Sequence, residues 1–534
     1  MSVYPFKSIF LIVALALYVS ETLGLSSPPE INGNLTYLWP LPSEFTHGND
    51  TLSVDPGLLL AVGGIGGNSE ILRAAFDRYR GIVFKHSDGL SIFSRLRGRR
   101  PAYDINKLKV IVHSDNEEAV YTLLQSMQEM TESRVIGVMA TKLRTFGIIF
   151  TLLFIYVLCR NQLANTVYGA LRGLETFSQL CAFDYGAKSV QVYKAPWYIR
   201  DKPRFAYRGL LLDTSRHFLP IDVIKQIIES MSYAKLSCHR LTVCFLFMFP
   251  HIDLKLCQSV NVMAEVDIPG HAESWGTGYP DLWPSPSCRE PLDVTKNFTF
   301  DVVSGILTDM RKIFPFELFH LGGDEVNTGC WSSTPHVKQW LQSRNMTTKE
   351  AYQYFVLKAQ EIAISKNWTP VNWEETFNAF AGNLNPRTVV HNWLGGGVCP
   401  KAVAKGFRCI FSNQGVWYLD HLDVPWDKFY TAEPVEGIND ASKQELVLGG
   451  EVCMWGETAD TSNVQQTIWP RAAAAAERLW TSREAISTGN ITLTALPRLL
   501  YFRCLLNRRG VQAAPVTNSY ARSPPSGPGS CYEQ

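Results

Sequence analysis

The second part of the chain alternates short apolar runs with helix-like stretches, and each apolar run ends in a cluster of polar and aromatic residues. From Arg208 onward, the apolar runs lie at 209–212, 260–266, 316–321, 369–372, 388–390, 409–412 and 446–448. Strands that alternate with helices form a parallel sheet, and seven or eight such units over this length predict an α/β fold of the (β/α)8 barrel type. A succession of unrelated βα units with ordinary polar loops is the alternative. Because a barrel of this type has its active site at the carboxyl ends of its strands, the polar clusters form the candidate site.

The first part of the chain, residues 25–200, has a different pattern. Short apolar runs such as 58–62 are mixed with helical stretches such as 69–80, and this mixture predicts a small α+β domain. The segment 195–203 contains two prolines and alternating charges, so it is the predicted connector. The catalytic barrel is then expected to span residues 201–534.

Two stretches break these patterns. One is an apolar block at 147–159, within an unusual insert at about 138–160, and it is shorter than the roughly 20 residues that span a bilayer. The other is 237–259, which shows no convincing strand, loop and helix of its own. Its potential metal ligands are Cys238, His239, Cys244, His251 and Cys257. Their spacing fits no paired-ligand pattern, so no metal site is predicted.

Residues 1–24 are typical of a cleavable signal peptide. Lys7 is followed by an apolar run at 9–18 and then by small and polar residues, although a buried N-terminal strand is the alternative. The Asn-x-Ser/Thr sequons expected to carry glycans are Asn34, Asn49, Asn297, Asn345 and Asn490. A sixth, at Asn367, is disfavoured by the nearby Pro370. Twelve cysteines are compatible with disulfides, so we predict passage through the secretory pathway to a vacuole or lysosome or to the cell exterior.

The charge balance excludes one large class of partners. The 534 residues carry a formal net charge of +1, whereas nucleic acids and anionic membranes call for clustered positive charge. The chain also has 14 tryptophans, which either pack in the core or line a sugar-binding pocket. The second reading follows from the way aromatic faces stack on the C–H faces of pyranose rings.

The most informative segment is Phe-Glu-Leu-Phe-His-Leu-Gly-Gly-Asp-Glu at 316–325. An apolar strand runs into two glycines, which permit an unusual backbone path, and then into the adjacent carboxylates Asp324 and Glu325. Two like charges in one pocket separate their pKa values, so that one carboxyl stays protonated while the other is ionised. Glycoside hydrolysis needs this division, because an acid must protonate the leaving oxygen while an anion stabilises positive charge at the ring. A solvated loop is the alternative, and the strand, the glycines and the barrel position argue against it.

The segment 320–325, His-Leu-Gly-Gly-Asp-Glu, resembles the signature of the glycoside hydrolase family 20 β-N-acetylhexosaminidases. The resemblance covers nearly the whole chain outside the two unusual stretches. Four other motifs are similar to motifs of the family's barrel: DTSRH at 213–217, AEVDIPGH at 264–271, WEE at 373–375 and GGEVCMWGE at 449–457. The plant-type vacuolar enzymes, which have an α+β domain ahead of the barrel, look closest.

The resemblance implies a substrate-assisted reaction that releases terminal N-acetylglucosamine or N-acetylgalactosamine from glycans, glycoproteins or chito-oligosaccharides. The substrate's own 2-acetamido oxygen attacks the anomeric carbon and forms a cyclic oxazolinium ion. Glu325 is then the general acid and later the base, and Asp324 orients the acetamido nitrogen. Tyr418 hydrogen-bonds the acetamido oxygen, and His271 supports the acidic pair.

The resemblance also implies the rest of the pocket. The walls around the N-acetyl group and the sugar ring are Trp373, Trp393 and Trp455, and the residues that bind ring hydroxyls are Arg216, Asp420 and Glu457. Taken singly, each of these residues has an ordinary alternative, such as a surface ion pair for Arg216 or barrel packing for the tryptophans. Their occurrence after successive predicted strands favours a common pocket.

Further expectations follow from the same resemblance. The disulfides are expected to join Cys288 with Cys330 and Cys504 with Cys531. No cofactor, metal, nucleic acid or stable membrane span is expected, and a homodimer is expected because dimers are common in the family.

The chain departs from the family after Lys235. The family continues with a strand ending in Trp-His-x-x-Asp, whose aspartate binds sugar hydroxyls, and 237–259 replaces that unit with a shorter, unrelated sequence. Since a closed barrel links strand number, shear and tilt, the loss of one βα unit predicts unpaired strand edges. Two hypotheses follow: an active exo-hexosaminidase, or an impaired variant that at most binds sugar. A membrane-tethered form that uses the block 147–159 is a distant third.

Overall fold

The computed structural model describes residues 36–86, 103–114, 160–242, 260–487 and 489–517. Several predictions lie outside these residues, namely the signal peptide, the Asn34 sequon, Cys531 and almost all of the insert at 138–160. The apolar block 147–159 also lies outside them. Within the described ranges, no helix has both the length and the apolar character that crossing a membrane requires.

The N-terminal part is built on a sheet to which the described residues contribute five strands, in the spatial order β3-β2-β1-β5-β4. The strands are β1 (Glu44–Gly63), β2 (Ile105–Val112), β3 (Arg160–Ala164), β4 (Cys181–Asp184) and β5 (Ser189–Arg200). Strands β1, β2 and β3 pair in parallel, and β5 pairs antiparallel with both β1 and β4. Two helices, α1 (Glu70–Val83) and α2 (Val167–Leu180), add apolar side chains to the core of this sheet. Each helix begins after a hydroxyl residue, Ser69 or Thr166, whose side chain accepts a hydrogen bond from a backbone N–H of the first turn.

The second part is a closed barrel of parallel strands, as the sequence predicts. In the described residues the barrel has eight strands, and β13 pairs with β6 to close it. They are β6 (Tyr207–Asp213), β7 (Cys238–Thr242), β8 (Asn261–Glu265), β9 (Leu318–His320), β10 (Thr369–Trp373), β11 (Val389–Asn392), β12 (Arg408–Phe411) and β13 (Val447–Met454). Every residue of β6 and of β13 is buried, which is typical of parallel strands covered on both faces.

The strand of the second barrel unit is present, and the expected loss of this strand is therefore wrong. Residues Cys238–Thr242 form β7, which pairs in parallel with β6 on one side and with β8 on the other. The physical reason is that strand pairing uses backbone N–H and C=O groups, which any residue other than proline supplies. The strand can therefore complete the barrel sheet without the Trp-His-x-x-Asp motif of the family. The remainder of the unit, 243–259, lies outside the described residues.

Helices follow the barrel strands and cover their outer faces. The longer helices are α3 (Ile221–Tyr233), α5 (Asn297–Ile313), α7 (Pro335–Ser343), α8 (Thr348–Ser365), α15 (Arg471–Trp480) and the C-terminal α18 (Leu496–Arg508). The shorter ones are α4 (Trp275–Gly278), α6 (Gly329–Ser333), α9 (Glu374–Phe380), α10 (Val398–Ala404), α11 (Gln414–Trp417), α12 (Trp426–Thr431), α13 (Ala441–Gln444), α14 (Val464–Ile468), α16 (Arg483–Ile486) and α17 (Ile491–Thr494). Two 3-10 turns, Ile65–Asn68 and Pro280–Leu282, complete the described elements.

The two parts of the molecule meet along α2 and the end of α18. The guanidinium of Arg509 lies 2.9 Å from the buried carboxylate of Glu175, and Arg172 donates a hydrogen bond of 2.8 Å to the carbonyl of Leu236. Paired buried charges of this kind are strongly destabilising when one partner is removed. This contact therefore fixes the N-terminal sheet against the first barrel unit.

Two disulfides stabilise the loops of the barrel. Cys288 and Cys330, the pair implied by the family resemblance, are joined in the structure, and the bond ties the segment after β8 to the loop that follows Glu325. Cys399 and Cys409 form a second disulfide, between α10 and β12, that sequence analysis left unassigned. Cys504 is disulfide-bonded as well, whereas its expected partner Cys531 lies outside the described residues.

Removal of the Cys288–Cys330 disulfide is expected to lower the free energy of unfolding by about 2–5 kcal/mol. The bond closes a loop of 42 residues, and opening it increases the chain entropy of the unfolded state. The double variant Cys288→Ser/Cys330→Ser should show the loss in chemical denaturation relative to the oxidised wild-type protein. A reductant, which also opens Cys399–Cys409, should lower the stability of the wild type by at least as much. Equal unfolding midpoints for the variant and the oxidised wild type would contradict this role.

Candidate active site

The predicted site residues converge at the carboxyl ends of the barrel strands. Seven of the strands, all except β7, end in or are followed by these residues, which lie at most nine positions beyond the strand ends. The residues are Arg216 after β6, His271 after β8, Asp324 and Glu325 after β9, Trp373 at the end of β10, Trp393 after β11, Tyr418 and Asp420 after β12, and Trp455 and Glu457 after β13. This arrangement is the one that parallel barrels use for active sites.

The turn after β9 explains why two glycines precede the carboxylates. Gly322 and Gly323 have φ angles of +64° and +95°, a region that favours glycine. A Cβ on Gly322 would lie 1.7 Å from the Oδ1 atom of Asp267, so the glycine also allows that side chain to approach the turn. Glu325 itself has a φ of 50°, and strained backbone of this kind is often found at functional sites.

Asp324 shares its surroundings with a second carboxyl group, that of Asp267. The two side chains are hydrogen-bonded to each other, and the backbone N–H of Gly323 donates to Asp267 Oδ1 over 2.9 Å. Burial and the charge of Asp324 raise the pKa of Asp267 well above its usual range. Burial also raises the pKa of Asp324, while the hydrogen bond from Asp267 and the charge of His271 lower it. We therefore assign the shared proton to Asp267, which leaves Asp324 as the anion of the pair.

This pairing changes the sequence-based interpretation of the acidic residues. The pKa separation was expected between the neighbours Asp324 and Glu325, but the carboxyl group that exchanges a hydrogen bond with Asp324 is Asp267. The Glu325 side chain is 58% exposed, whereas the Asp324 side chain is only 12% exposed. The two adjacent residues thus face different environments, one the open pocket and the other the protein interior.

His271 lies beside both carboxylates of the turn. Its Nε2 atom is 3.4 Å from Glu325 Oε2 and 3.7 Å from Asp324 Oδ2. Its backbone N–H donates to the carboxylate of Glu290 over 2.8 Å, and its φ of 52° places it in the left-handed region. These contacts hold the imidazole close to both acids, where sequence analysis had placed it.

Four aromatic residues form the walls of one pocket. The ring of Trp373 is centred 6.4 Å from that of Trp393 and 6.1 Å from that of Trp455. The Tyr418 ring lies 6.4 Å from Trp393, nearly parallel to it, and 6.1 Å from Trp455. Each ring thus has two of the others as neighbours, and their spacing suits apolar contact with a small group held between them.

A chain of buried polar groups forms the floor beneath Trp373. Glu265 lies 2.7 Å from Nδ1 of His320, and Nε2 of His320 lies 3.2 Å from Nδ1 of His391. His391 continues the chain to the Ser412 hydroxyl at 2.9 Å and stacks on the Trp373 indole with ring centroids 4.5 Å apart. Satisfied buried polar networks of this kind fix a single arrangement of the side chains above them.

Charged groups lie next to Trp455. Arg216 lies 3.3 Å from Asp213 and 3.5 Å from Glu457, and its guanidinium is 5.1 Å from the centre of the Trp455 ring. Asp213 also accepts a hydrogen bond of 3.0 Å from the backbone N–H of Gly456. The nearby carboxyl group of Asp420 has its pKa raised, chiefly by burial. Arg216 is thus held by two carboxylates at the rim.

Two buried acceptors in the pocket have no hydrogen-bond partner. They are Oδ1 of Asp324 and Oδ1 of Asp420, each lacking a partner in the part of the chain that the structure describes. An unsatisfied buried acceptor is costly unless a ligand supplies a donor. The pocket therefore offers one acceptor at the acidic turn and another at its polar side.

Sequence analysis missed three residues that shape this site. Asp267 hydrogen-bonds Asp324, Asp213 anchors Arg216, and Glu375 accepts hydrogen bonds from the Trp393 indole at 3.0 Å. All three belong to the motifs already singled out, at 264–271, 213–217 and 373–375. The motifs therefore contain these three residues. Their contacts, however, depend on how separate loops meet in space, which the sequence does not show.

Asp267, His271 and Asp324 are also the candidate metal ligands of the described residues. One donor atom from each lies within 4.8 Å of the others. The proton shared by Asp267 and Asp324, together with the adjacent imidazole of His271, accounts for this proximity without a cation. We therefore assign no metal to the cluster. The segment 237–259, for which no metal site was predicted, lies largely outside the described residues.

Comparisons with known proteins identify the family and the fold of this chain. Residues 205–242 and 256–483 match the family model described as glycosyl hydrolase family 20, catalytic domain, and residues 38–180 match the model described as beta-acetyl hexosaminidase like. The chain is 62% identical to Beta-hexosaminidase 1 of Arabidopsis thaliana, over 98% of this chain and 99% of that protein. It is 45% identical to Beta-hexosaminidase 3 of the same plant, over 93% and 94% of the two chains. The chitobiase of Flavobacterium johnsoniae shares the fold with a TM-score of 0.71 at 22% identity, over 89% of this chain and 73% of that chain.

Proposed function

The chain belongs to glycosyl hydrolase family 20 and is an exo-β-N-acetylhexosaminidase, and we propose that it works by substrate-assisted catalysis through Asp324 and Glu325. The observation that carries this proposal is the buried Oδ1 atom of Asp324, which has no hydrogen-bond partner among the described residues and lies at the same end of the barrel as the four aromatic rings. These rings are Trp373, Trp393, Tyr418 and Trp455. An acetamido group matches this environment, because its methyl group is apolar and its N–H needs an acceptor.

Glu325 has the position that a general acid requires. Its side chain is exposed to the pocket, beside His271, and it lines an open cavity of about 460 Å³ together with Val326 and Tyr352. The cavity provides room for the leaving sugar. Glu325 then donates its proton to the leaving oxygen and afterwards removes a proton from the water that opens the cyclic intermediate.

Asp324 and Tyr418 hold the acetamido group during the first step. The ionised Asp324 accepts a hydrogen bond from the acetamido N–H, and its charge stabilises the positive charge that develops on the ring formed by the acetamido group. The protonated carboxyl group of Asp267 donates a hydrogen bond to Asp324 and so stabilises its ionised form. The hydroxyl of Tyr418 donates to the acetamido oxygen and aims it at the anomeric carbon, while Trp373, Trp393 and Trp455 enclose the methyl group.

Arg216, Asp420 and Glu457 bind the ring hydroxyls of the terminal sugar. Arg216 is preorganised by Asp213, and Asp420 offers an unpartnered buried oxygen, so both acquire a partner when a hydroxyl arrives. The hypothesis of an impaired variant rested on a missing barrel unit and on the missing aspartate of the Trp-His-x-x-Asp motif. It is not favoured, because β7 completes the barrel wall and the curated relatives at 62% and 45% identity are β-hexosaminidases.

A pair of substrates tests the substrate-assisted mechanism directly. The 4-nitrophenyl β-N-acetylglucosaminide should be hydrolysed, whereas the β-glucoside, which lacks the acetamido nucleophile, should react at least about 100-fold more slowly. A thiazoline analogue of the cyclic intermediate should inhibit competitively and bind about 100-fold or more tightly than the substrate. Comparable rates for the two glycosides would exclude the acetamido group as the nucleophile.

We also propose that the protein passes through the secretory pathway to a vacuole, a lysosome or the cell exterior. The sequons Asn49, Asn297, Asn345 and Asn490 are all exposed, and the disulfides suit an oxidising compartment. Treatment of the native protein with an endoglycosidase should raise its gel mobility. The homodimer implied by the family resemblance stays a prediction, which sedimentation equilibrium tests.

A further inference from the structure

Glu375 is the pocket carboxylate for which the proposed mechanism has no task. It lies in the first turn of α9, directly after the strand that ends in Trp373. The indole Nε1–H of Trp393 donates to both of its oxygens, each at 3.0 Å. A carboxylate that receives one N–H symmetrically fixes both the position and the tilt of the donor ring.

The Trp393 ring is a wall of the proposed acetamido pocket. One face is nearly parallel to Tyr418, with an interplanar angle of 14°, and its edge approaches Trp373. These are ring contacts, which permit sliding and rotation more readily than a hydrogen bond does. The backbone N–H of Trp393 donates to Glu374 at 3.1 Å, and its carbonyl accepts from the N–H of Gln414 at 2.8 Å. Among the described residues, the hydrogen-bond partner of the indole ring itself is Glu375.

Glu375 also faces the catalytic side of the pocket. It lines the open cavity of about 460 Å³ that contains Glu325. Burial raises the pKa of Glu375 to about 7, the negative charges of Asp324 and Glu374 act in the same direction, and the hydrogen bond from Trp393 opposes them. Tyr352, from α8, is a further titratable group that lines this cavity, and its pKa is raised chiefly by burial and next by the charge of Glu375.

We propose that Glu375 is a positioning residue that fixes Trp393 as a wall of the substrate pocket, and that gain of a proton by Glu375 weakens this wall. The proposal rests on the proposed function, since it assigns Trp393 to the acetamido pocket. An ionised carboxylate offers two charged acceptors to the indole N–H, and the neutral acid offers one uncharged oxygen in their place. As the pH falls through 7, the wall is held less firmly and substrate affinity decreases.

A double-mutant cycle with Trp393 tests the assignment. Glu375→Gln keeps the size of the side chain and one acceptor oxygen but removes the charge, and we expect it to raise KM by about 3- to 10-fold with kcat changed less than about 3-fold. Trp393→Phe removes the N–H donor, so adding Glu375→Gln to it should change KM by less than about 2-fold. An equal effect of Glu375→Gln in both backgrounds would show that it does not act through Trp393.

The pH dependence supplies a readout that a merely structural role would not move. In the wild-type protein KM should rise as the pH falls below 7. In Glu375→Gln this rise of KM should be absent. A wild-type KM that is constant between pH 6 and pH 8 overturns the proposal, and this measurement needs no variant to fold. Wild-type turnover that is abolished by Glu325→Gln but insensitive to Glu375→Gln would reject the positioning role alone, whereas absence of any wild-type turnover would reject the proposed function itself.

Discussion

Glu325→Gln is expected to lower kcat for chitobiose by about 100- to 10,000-fold, because the amide cannot protonate the leaving oxygen. The substitution keeps the size of the side chain and its place beside His271, so KM should change much less than kcat. For a dinitrophenyl glycoside, whose leaving group needs no proton, the first turnover should be affected far less. Steady-state kinetics on chitobiose, together with the burst of dinitrophenolate, measures both effects.

A matched control separates the loss of the acid from a general change in charge. Glu273 lies at the same end of the barrel and its side chain is 57% exposed, almost as much as that of Glu325. Glu273→Gln should leave kcat within about 2-fold of the wild-type value, since an exposed ion pair contributes little. A similar loss in both variants, or an equal loss for chitobiose and the dinitrophenyl glycoside, would contradict the role of Glu325 as general acid.

Asp324→Asn is expected to lower kcat by about 100- to 1,000-fold, since a neutral amide does not stabilise the positive charge of the cyclic intermediate. Asp267 provides the comparison. Because its raised pKa keeps Asp267 protonated, Asp267→Asn retains a hydrogen-bond donor toward Asp324 and should cost less than about 10-fold. Asp267→Ala removes that donor, so it should raise the pKa of Asp324 and move the acid limb of activity to higher pH.

The direction of that shift follows from the charge that catalysis requires. Activity needs ionised Asp324, and the ionised form is lost as the pH falls through its pKa. The hydrogen bond from Asp267 lowers the pKa of Asp324. Removal of this hydrogen bond therefore raises the lowest pH at which the enzyme is active. The pH profiles of kcat for the three proteins check the prediction. A loss in Asp267→Asn as large as that in Asp324→Asn would show that Asp267 does not carry the proton.

The barrel and the glycine turn before the acidic pair could be predicted because their signals are local. The run at 316–325 combines an apolar strand, two glycines and two acids within ten residues, and the structure shows β9 followed by the glycine turn there. The proton-sharing pair of Asp267 and Asp324 could not be predicted in the same way, because it depends on the approach of two loops 57 residues apart. The Cys399–Cys409 disulfide likewise depends on how α10 folds back on β12.

The error over β7 has a different origin. The sequence 237–259 lacks the family's motif, but the absence of a motif does not imply the absence of a strand. A motif, however, records the side chains that chemistry requires, whereas a strand in a parallel barrel requires only backbone pairing and suitable burial. The division between residues 200 and 201 stays a prediction, as does the role of each pocket residue.

The way β7 closes the barrel makes this architecture modular. Strand β7 lacks the Trp-His-x-x-Asp motif, and β6 and β8 pair with it all the same. Because this pairing uses backbone groups, a change of side chains in one strand of the wall leaves unchanged the scaffold that positions Asp324 and Glu325.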